Sequence, residues 1–196
     1  MANTNAPFGF RQYSGTGSAP TYEQVAVAIG YNTTNIFYGD PVEPVNDGTV
    51  AQGDGTTAAA GIAGVFVGCQ YTDPSTKQPR NAQYWPAGTV ASDAVAYVVD
   101  DPYALFKVVV CSSGTTVASL GRTAVGQNAA LAQNAGSTIT GDSKVAVLAT
   151  TGTATTLPLR IIDVVPETAN ASGSYTEVIV KFGIGVHTYT TAVAVA

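Results

Sequence analysis

The chain is expected to fold as an all-β protein, mainly an antiparallel β-sandwich or barrel, with an extended N-terminal arm and little helix. Three observations carry that expectation. Apolar residues recur at a period of two, turn signals rich in Gly, Pro, Asn and Asp interrupt them at intervals of about 8–15 residues, and no long amphipathic helix can be drawn. Parallel α/β architecture would need crossover helices, and a solenoid or propeller would need a repeat of roughly 20–50 residues. The 196 residues contain neither.

Residues 1–24 lack periodicity and are rich in Gly, Ser, Thr and Pro, so they read as the extended arm. Phe8, Phe10, Tyr13 and Tyr22 are spaced through it. Two readings stay open: a frayed terminus, or an arm whose aromatics dock on a neighbouring subunit. On the second, deleting residues 1–20 leaves the domain folded but weakens attachment. Residues 25–196 read as a single β-rich domain. Val25, Val27 and Ile29 alternate with Ala26 and Ala28, as a half-buried strand requires. Ile36-Phe37-Tyr38 meets the turn Gly39-Asp40-Pro41, and Val42 to Val45 is extended again. Asn46-Asp47-Gly48 and Gln52-Gly53-Asp54-Gly55 are turn signals, because Asx-Gly reaches positive φ at little cost.

Ile62 to Tyr71 is the longest clear strand, with Val65, Val67, Cys69 and Tyr71 expected on one face. Thr72 to Arg80 reads as a hairpin loop, and Ala94–Val99 and Ala104–Cys111 are strands separated by Asp100-Asp101-Pro102. Residues 112–143 are rich in Gly, Ser and Thr and are read as a flap or insertion. Within them Asn128 to Asn134 is expected to make a short helical turn capped by Asn128. Val145–Leu148, Leu157–Val165, Tyr175–Phe182 and Val186–Val195 complete the set, giving about ten to twelve strands.

Charged residues are only 11% of the chain, against roughly 25% in an ordinary soluble domain, while hydrophobic residues are 45%. Disorder needs the opposite balance; a surface partly covered by neighbours fits this one. The net charge is −5 and the eight Lys and Arg are scattered singly, which argues against a nucleic-acid surface. No apolar run reaches the roughly 18 residues of a membrane span. The N-terminus lacks the layout of a secretory signal, so synthesis in the cytoplasm is expected.

The residue inventory is poor in catalytic arrangements. His187 is the single histidine, which excludes any two-histidine metal site and leaves at most one triad. Cys69 and Cys111 lie in apolar strand-like runs and read as free buried thiols. Asp100 and Asp101 are adjacent and would face opposite sides of a strand. Asp40, Asp47, Asp54, Asp73 and Asp142 sit beside or close to Gly or Pro, where Asp serves local backbone hydrogen bonds. No EF-hand-type loop is present, and Gly15-x-Gly17 and Gly183-x-Gly185 lack what a phosphate cradle needs. No catalytic residue, metal ligand or cofactor is expected. Tyr84-Trp85-Pro86 is the best candidate contact hot spot, although the single Trp85 is more simply a core anchor.

Several segments, in order, carry a family resemblance: Asn5-Ala6-Pro7-Phe8-Gly9-Phe10, Phe37-Tyr38-Gly39-Asp40-Pro41-Val42, Gly64-Val65-Phe66-Val67-Gly68-Cys69 and Tyr84-Trp85-Pro86-Ala87-Gly88-Thr89. Tyr97-Val98-Val99-Asp100-Asp101-Pro102 and Leu157-Pro158-Leu159-Arg160-Ile161 extend it to about Lys181. Read together, they resemble small structural proteins of tailed bacteriophages, of the head decoration or capsid cement type. The resemblance implies a virion protein without enzymatic activity on the outer capsid surface, a homo-oligomer (trimer or dimer) that binds the phage major capsid protein and bridges neighbouring capsomers. Nucleic acid and membrane are not among its expected partners. A tail-tube, connector or fibre-associated protein is the nearest alternative. A major capsid protein would need a long spine helix, and a secreted carbohydrate-binding β-sandwich would need a signal peptide.

Overall fold

The alternation of apolar residues is expressed as short strands throughout the computed structural model, which describes residues 6–14, 24–32, 34–53, 61–168 and 175–183. In chain order these are β1 (Arg11–Ser14), β2 (Val25–Ala28), β3 (Ile36–Phe37), β4 (Pro41–Pro44), β5 (Val50–Gln52), β6 (Gly64–Thr72), β7 (Pro79–Ala82) and β8 (Tyr84–Trp85). They continue with β9 (Val95–Val99), β10 (Leu105–Ser113), β11 (Thr116–Val117), β12 (Asn128–Ala132), β13 (Ala146–Gly152), β14 (Leu159–Val164) and β15 (Glu177–Phe182). One 3₁₀ turn, Arg122–Ala124, is the sole helical element among the described residues. The fold is all-β and mainly antiparallel, as the sequence predicts.

One sheet runs β1-β10-β13-β12-β14-β15, and β15 pairs again with β10, so five of its strands form a closed ring. Its single parallel ladder joins Val110 and Cys111 to Val147 and Leu148. Strict alternation fills the ring. Phe106, Val108 and Val110 of β10 meet Val178, Val180 and Phe182 of β15 and Leu159 and Ile161 of β14, all buried. The other face of β10 is buried too, with Val109 and Cys111 packed beside Ala132 and Ala146. That explains the near-continuous apolar run of this strand, since a strand covered on both faces needs no polar alternation.

The second sheet runs β2-β9-β6-β4-β5, with β7 also on β6, and a parallel bridge between Ile29 and Val50 joins its two ends. Its core gathers Ile29, Val42, Val50, Phe66, Ala96 and Val98 around Trp85. Trp85 and Tyr84 reach it through the small β3–β8 sheet, pairing with Ile36 and Phe37. The two sheets share residues: Ile62, Val65 and Val99 lie in the core of the first. The result is a β-sandwich-like packing of two strongly curved sheets.

Three sequence expectations are corrected here. Asn128–Asn134 is not a helical turn; Asn128–Ala132 is β12, in the first sheet between β13 and β14. Alanine favours helix by less than about 1 kcal/mol per residue, and pairing with two neighbouring strands outweighs that. Residues 112–143 therefore supply part of the sheet. Nor do Val65, Val67, Cys69 and Tyr71 share a face. The register of β6 against β9 shifts between Phe66 and Gly68, at Gly68 with φ 149°. The bulge turns Val65 and Val67 towards the first core, and Phe66, Cys69 and Tyr71 towards the second. Finally, residues 6–14 are not a detached arm, because β1 pairs with β10 and Phe10 is only 1% exposed. Asp54, Val186–Val195, His187 and the greater part of the arm, Tyr22 included, lie outside the described residues.

Candidate interaction surface

The aromatic residues singled out in the sequence divide between core and surface. Phe10 packs edge-on against Phe106 at 6.1 Å and lies 5.3 Å from Phe182, completing an aromatic triad inside the first ring. Gly9 precedes it at φ 75°, and a Cβ there would stand 2.5 Å from the Ser143 Cβ. This left-handed residue lets Phe8 and Phe10 go to different places. Phe8 lies half-buried on the outer cluster of Val109, Cys111, Ala132 and Ala146, with the Lys107 ammonium 5.7 Å over its ring. Trp85 is fully buried and packs edge-on against Tyr71 at 5.0 Å. Tyr84 stacks on Phe37 at 5.5 Å. Among the described ones Tyr13 alone stands out, 57% exposed, where the pairing of β1 with β10 shifts register between Gln12 and Ser14.

Tyr38-Gly39-Asp40 ties the N-terminal segment, the second sheet and the 137–143 segment together. Phe10 N–H donates to Gly39 O, Gly39 N–H to Phe66 O, Phe66 N–H to Asp40 O, and Ser143 N–H to Tyr38 O, all within 2.8–3.0 Å. The Asp40 carboxylate accepts from the Phe37 N–H at 2.8 Å and from the Gln52 amide at 3.0 Å. Burial pushes Asp40 up to about 6, a rise that Ser143, Phe37 and Gln52 partly offset by hydrogen bonding. Asp47 and Asp73 act locally: Asp47 accepts from Thr49 N–H, and Asp73 from Ser75 and Thr76 N–H, whereas Asp142 reaches Arg11 and Gln83.

Beside this junction opens a cleft of about 400 Å³. Phe37, Ala87 and Ala135 give it apolar walls; Asn35, Gln52, Gln133 and Asn134 give it carboxamides. Those amides are held in place. Asn35 Oδ1 accepts from Ala87 N–H at 2.7 Å, Gln133 donates to Gly53 O, and Asn134 donates to Gly114 O and Lys144 O at 2.9 and 2.8 Å. One edge of the cleft leads into a tight turn, where Ser137 N–H donates to Asp142 O and Gly141 N–H donates back to Ser137 O. Ile139, within that turn, is 95% exposed. Neither cleft nor turn was read from the sequence, since the cleft is assembled from four distant stretches and Ile139 sits in a Gly/Ser/Thr-rich background.

Among the described residues no group of three His, Cys, Asp or Glu could hold a metal ion, and no helix is long and apolar enough to cross a membrane. Both thiols are free and buried; burial pushes Cys69 up to about 12 and raises Cys111 as well, which keeps them protonated and unreactive at neutral pH. Asp101 caps a turn by accepting from Tyr103 N–H at 2.8 Å. Other large apolar side chains are displayed as well: Tyr31, Val90 and Tyr103 are each more than 60% exposed. No protein-family model, no curated protein and no solved structure matches the chain.

Proposed function

We propose that this chain is a structural protein of a tailed-phage particle that binds the outside of the capsid and stabilises it by bridging neighbouring capsomers. The observation that carries this reading is the display of Tyr13, Tyr31, Val90, Tyr103 and Ile139 on a surface unusually poor in charge. Single exposed apolar residues are ordinary; five large ones, on a chain with 11% charged residues, fit a surface that is covered in an assembly. Rigid short-stranded sheets transmit load between contacts, and a contact burying roughly 800 Å² per partner holds usefully when several engage at once. The order of its sequence motifs, which resembles that of head decoration proteins, is in keeping with this reading, as is a net charge of −5, which suits the outer shell better than the DNA-facing side.

Quantitative mass spectrometry of gradient-purified virions tests it, through the copy number of this chain relative to the major capsid protein. A ratio near one or one-half is expected. A few copies to a few dozen would overturn the decoration role in favour of the portal, connector or tail, and absence from the particle would remove the virion reading altogether.

A further inference from the structure

We propose that the turn bearing Ile139 seats in the amide-rimmed cleft of a second copy of this chain, reciprocally about a two-fold axis. The inference stands independently of the capsid reading. Ile139 is 95% exposed, yet nothing about its turn is loose. Ser137 and Asp142 close the turn through backbone bonds, Thr140 N–H reaches Ser137 Oγ, and Tyr38 N–H donates to Gly141 O. Asp142 is clamped by the Arg11 guanidinium at 2.6 Å and the Gln83 amide at 3.1 Å. A branched apolar side chain held this firmly loses little freedom when it enters a pocket, and that loss is a main cost of association.

The cleft matches the turn in chemistry. Phe37, Ala87 and Ala135 offer apolar contact to the isoleucine; Gln52 and Gln133, each with one N–H engaged within the chain, keep an N–H and an oxygen for a partner, whereas Asn134, whose amide already donates to Gly114 O and Lys144 O, offers its oxygen. An outward-facing turn presents backbone N–H and C=O groups that need such partners. Charge permits the contact: none of the described residues lining the cleft is charged, and none from Ser137 to Gly141 is either. Two copies, each with a net charge of −5, therefore meet here without like charges opposed. Ala135 of the cleft wall and Ile139 lie four residues apart on one segment, so protrusion and hollow are neighbours. A two-fold contact needs that arrangement, because the same patch must supply both halves.

Analytical ultracentrifugation of the full chain from micromolar to millimolar concentration tests the proposal. The wild-type protein is expected to dimerise. Ile139→Asp and Ala87→Trp, both at exposed positions, should each raise the dissociation constant at least about tenfold, with circular dichroism unchanged. Val125→Asp, beyond the far end of β12, should leave it unaltered. Mixing the Ile139→Asp and Ala87→Trp proteins should give more dimer than either alone, since one retains an open cleft and the other retains the isoleucine. A wild-type chain that stays monomeric throughout, an Ile139→Asp variant that dimerises normally, or a mixture no better than its components would overturn the proposal.

Discussion

At the scale of single residues, Asp40 carries the clearest consequence. Its side chain is fully buried, its hydrogen bonds come from neutral groups, and burial lifts it from 3.8 to about 6. Between those pH values the folded protein holds a proton that the unfolded chain has released. The stabilisation is therefore fully present below pH 3.8 and lost as pH rises through about 6. A separation of about two pH units corresponds to about 3 kcal/mol. Asp40→Asn keeps an acceptor for Phe37 and Gln52 without the charge, so urea unfolding should show wild type losing about that much more stability than the variant between pH 4 and pH 7. The comparison matters because Asp47, Asp73 and Asp93, held low mainly by hydrogen bonds, act in the opposite sense on acidification. Equal pH dependence in both proteins would mean that the carboxyl is not coupled to folding. Phe10 is a second case. Removing it from the Phe106–Phe182 triad should cost about 3–5 kcal/mol on Phe10→Ala substitution, measured by the same unfolding assay.

At the scale of elements, that triad reverses one expectation. If the aromatics of residues 1–20 served only an assembly arm, deleting those residues would leave the domain folded. Because β1 is laid on β10 and brings Phe10 with it, truncation through Ser14 should lower the thermal midpoint markedly before any effect on attachment is seen. Of the strands from Val25 to Val99, β2, β3, β4, β6 and β9 were legible because alternation and Asx-Gly or Pro turns mark their ends, whereas β5, β7 and β8 are too short or too polar to show a period and read instead as loop or contact residues. The segment around Phe10 was not, because a short strand preceded by a left-handed glycine leaves no period to detect. β12 was hidden differently: Asn-Ala-Ala-Leu-Ala is ambiguous locally, and only contacts with β13 and β14 decide it. Leu131→Ala should accordingly behave as a core truncation, costing about 2–5 kcal/mol; a loss below about 1 kcal/mol would deny β12 its place in the core. The Gly68 bulge was equally out of reach, because its effect depends on which of two cores each side of β6 faces. The cleft was illegible for the most physical of reasons. Residues 34–37, 52, 87 and 133–135 share no sequence neighbourhood, and only sheet topology brings them together.

At the scale of the whole molecule, the two sheets are positioned to unfold together. Strands of the second sheet donate Val65 and Val99 to the first core, joined there by Ile62. The Tyr38–Asp40 turn then binds Phe10, Phe66 and Ser143 through backbone hydrogen bonds. Neither core can open without exposing apolar surface of the other, and lost burial costs about 25 cal/mol per Å². Trp85 offers a selective view of this coupling, since it is the single tryptophan and sits in the second core. Its fluorescence reports that core alone, whereas far-UV circular dichroism reports strands of both sheets. In equilibrium urea unfolding the two signals should trace one transition with the same midpoint and slope. Fluorescence leading dichroism would mean that the shared residues and the turn fail to couple the cores. Coincidence would mean that the two curved sheets unfold as one body, as the bulged strand β6, with Val65 in one core and Phe66 in the other, the shared Ile62 and Val99 and the Tyr38–Asp40 turn require.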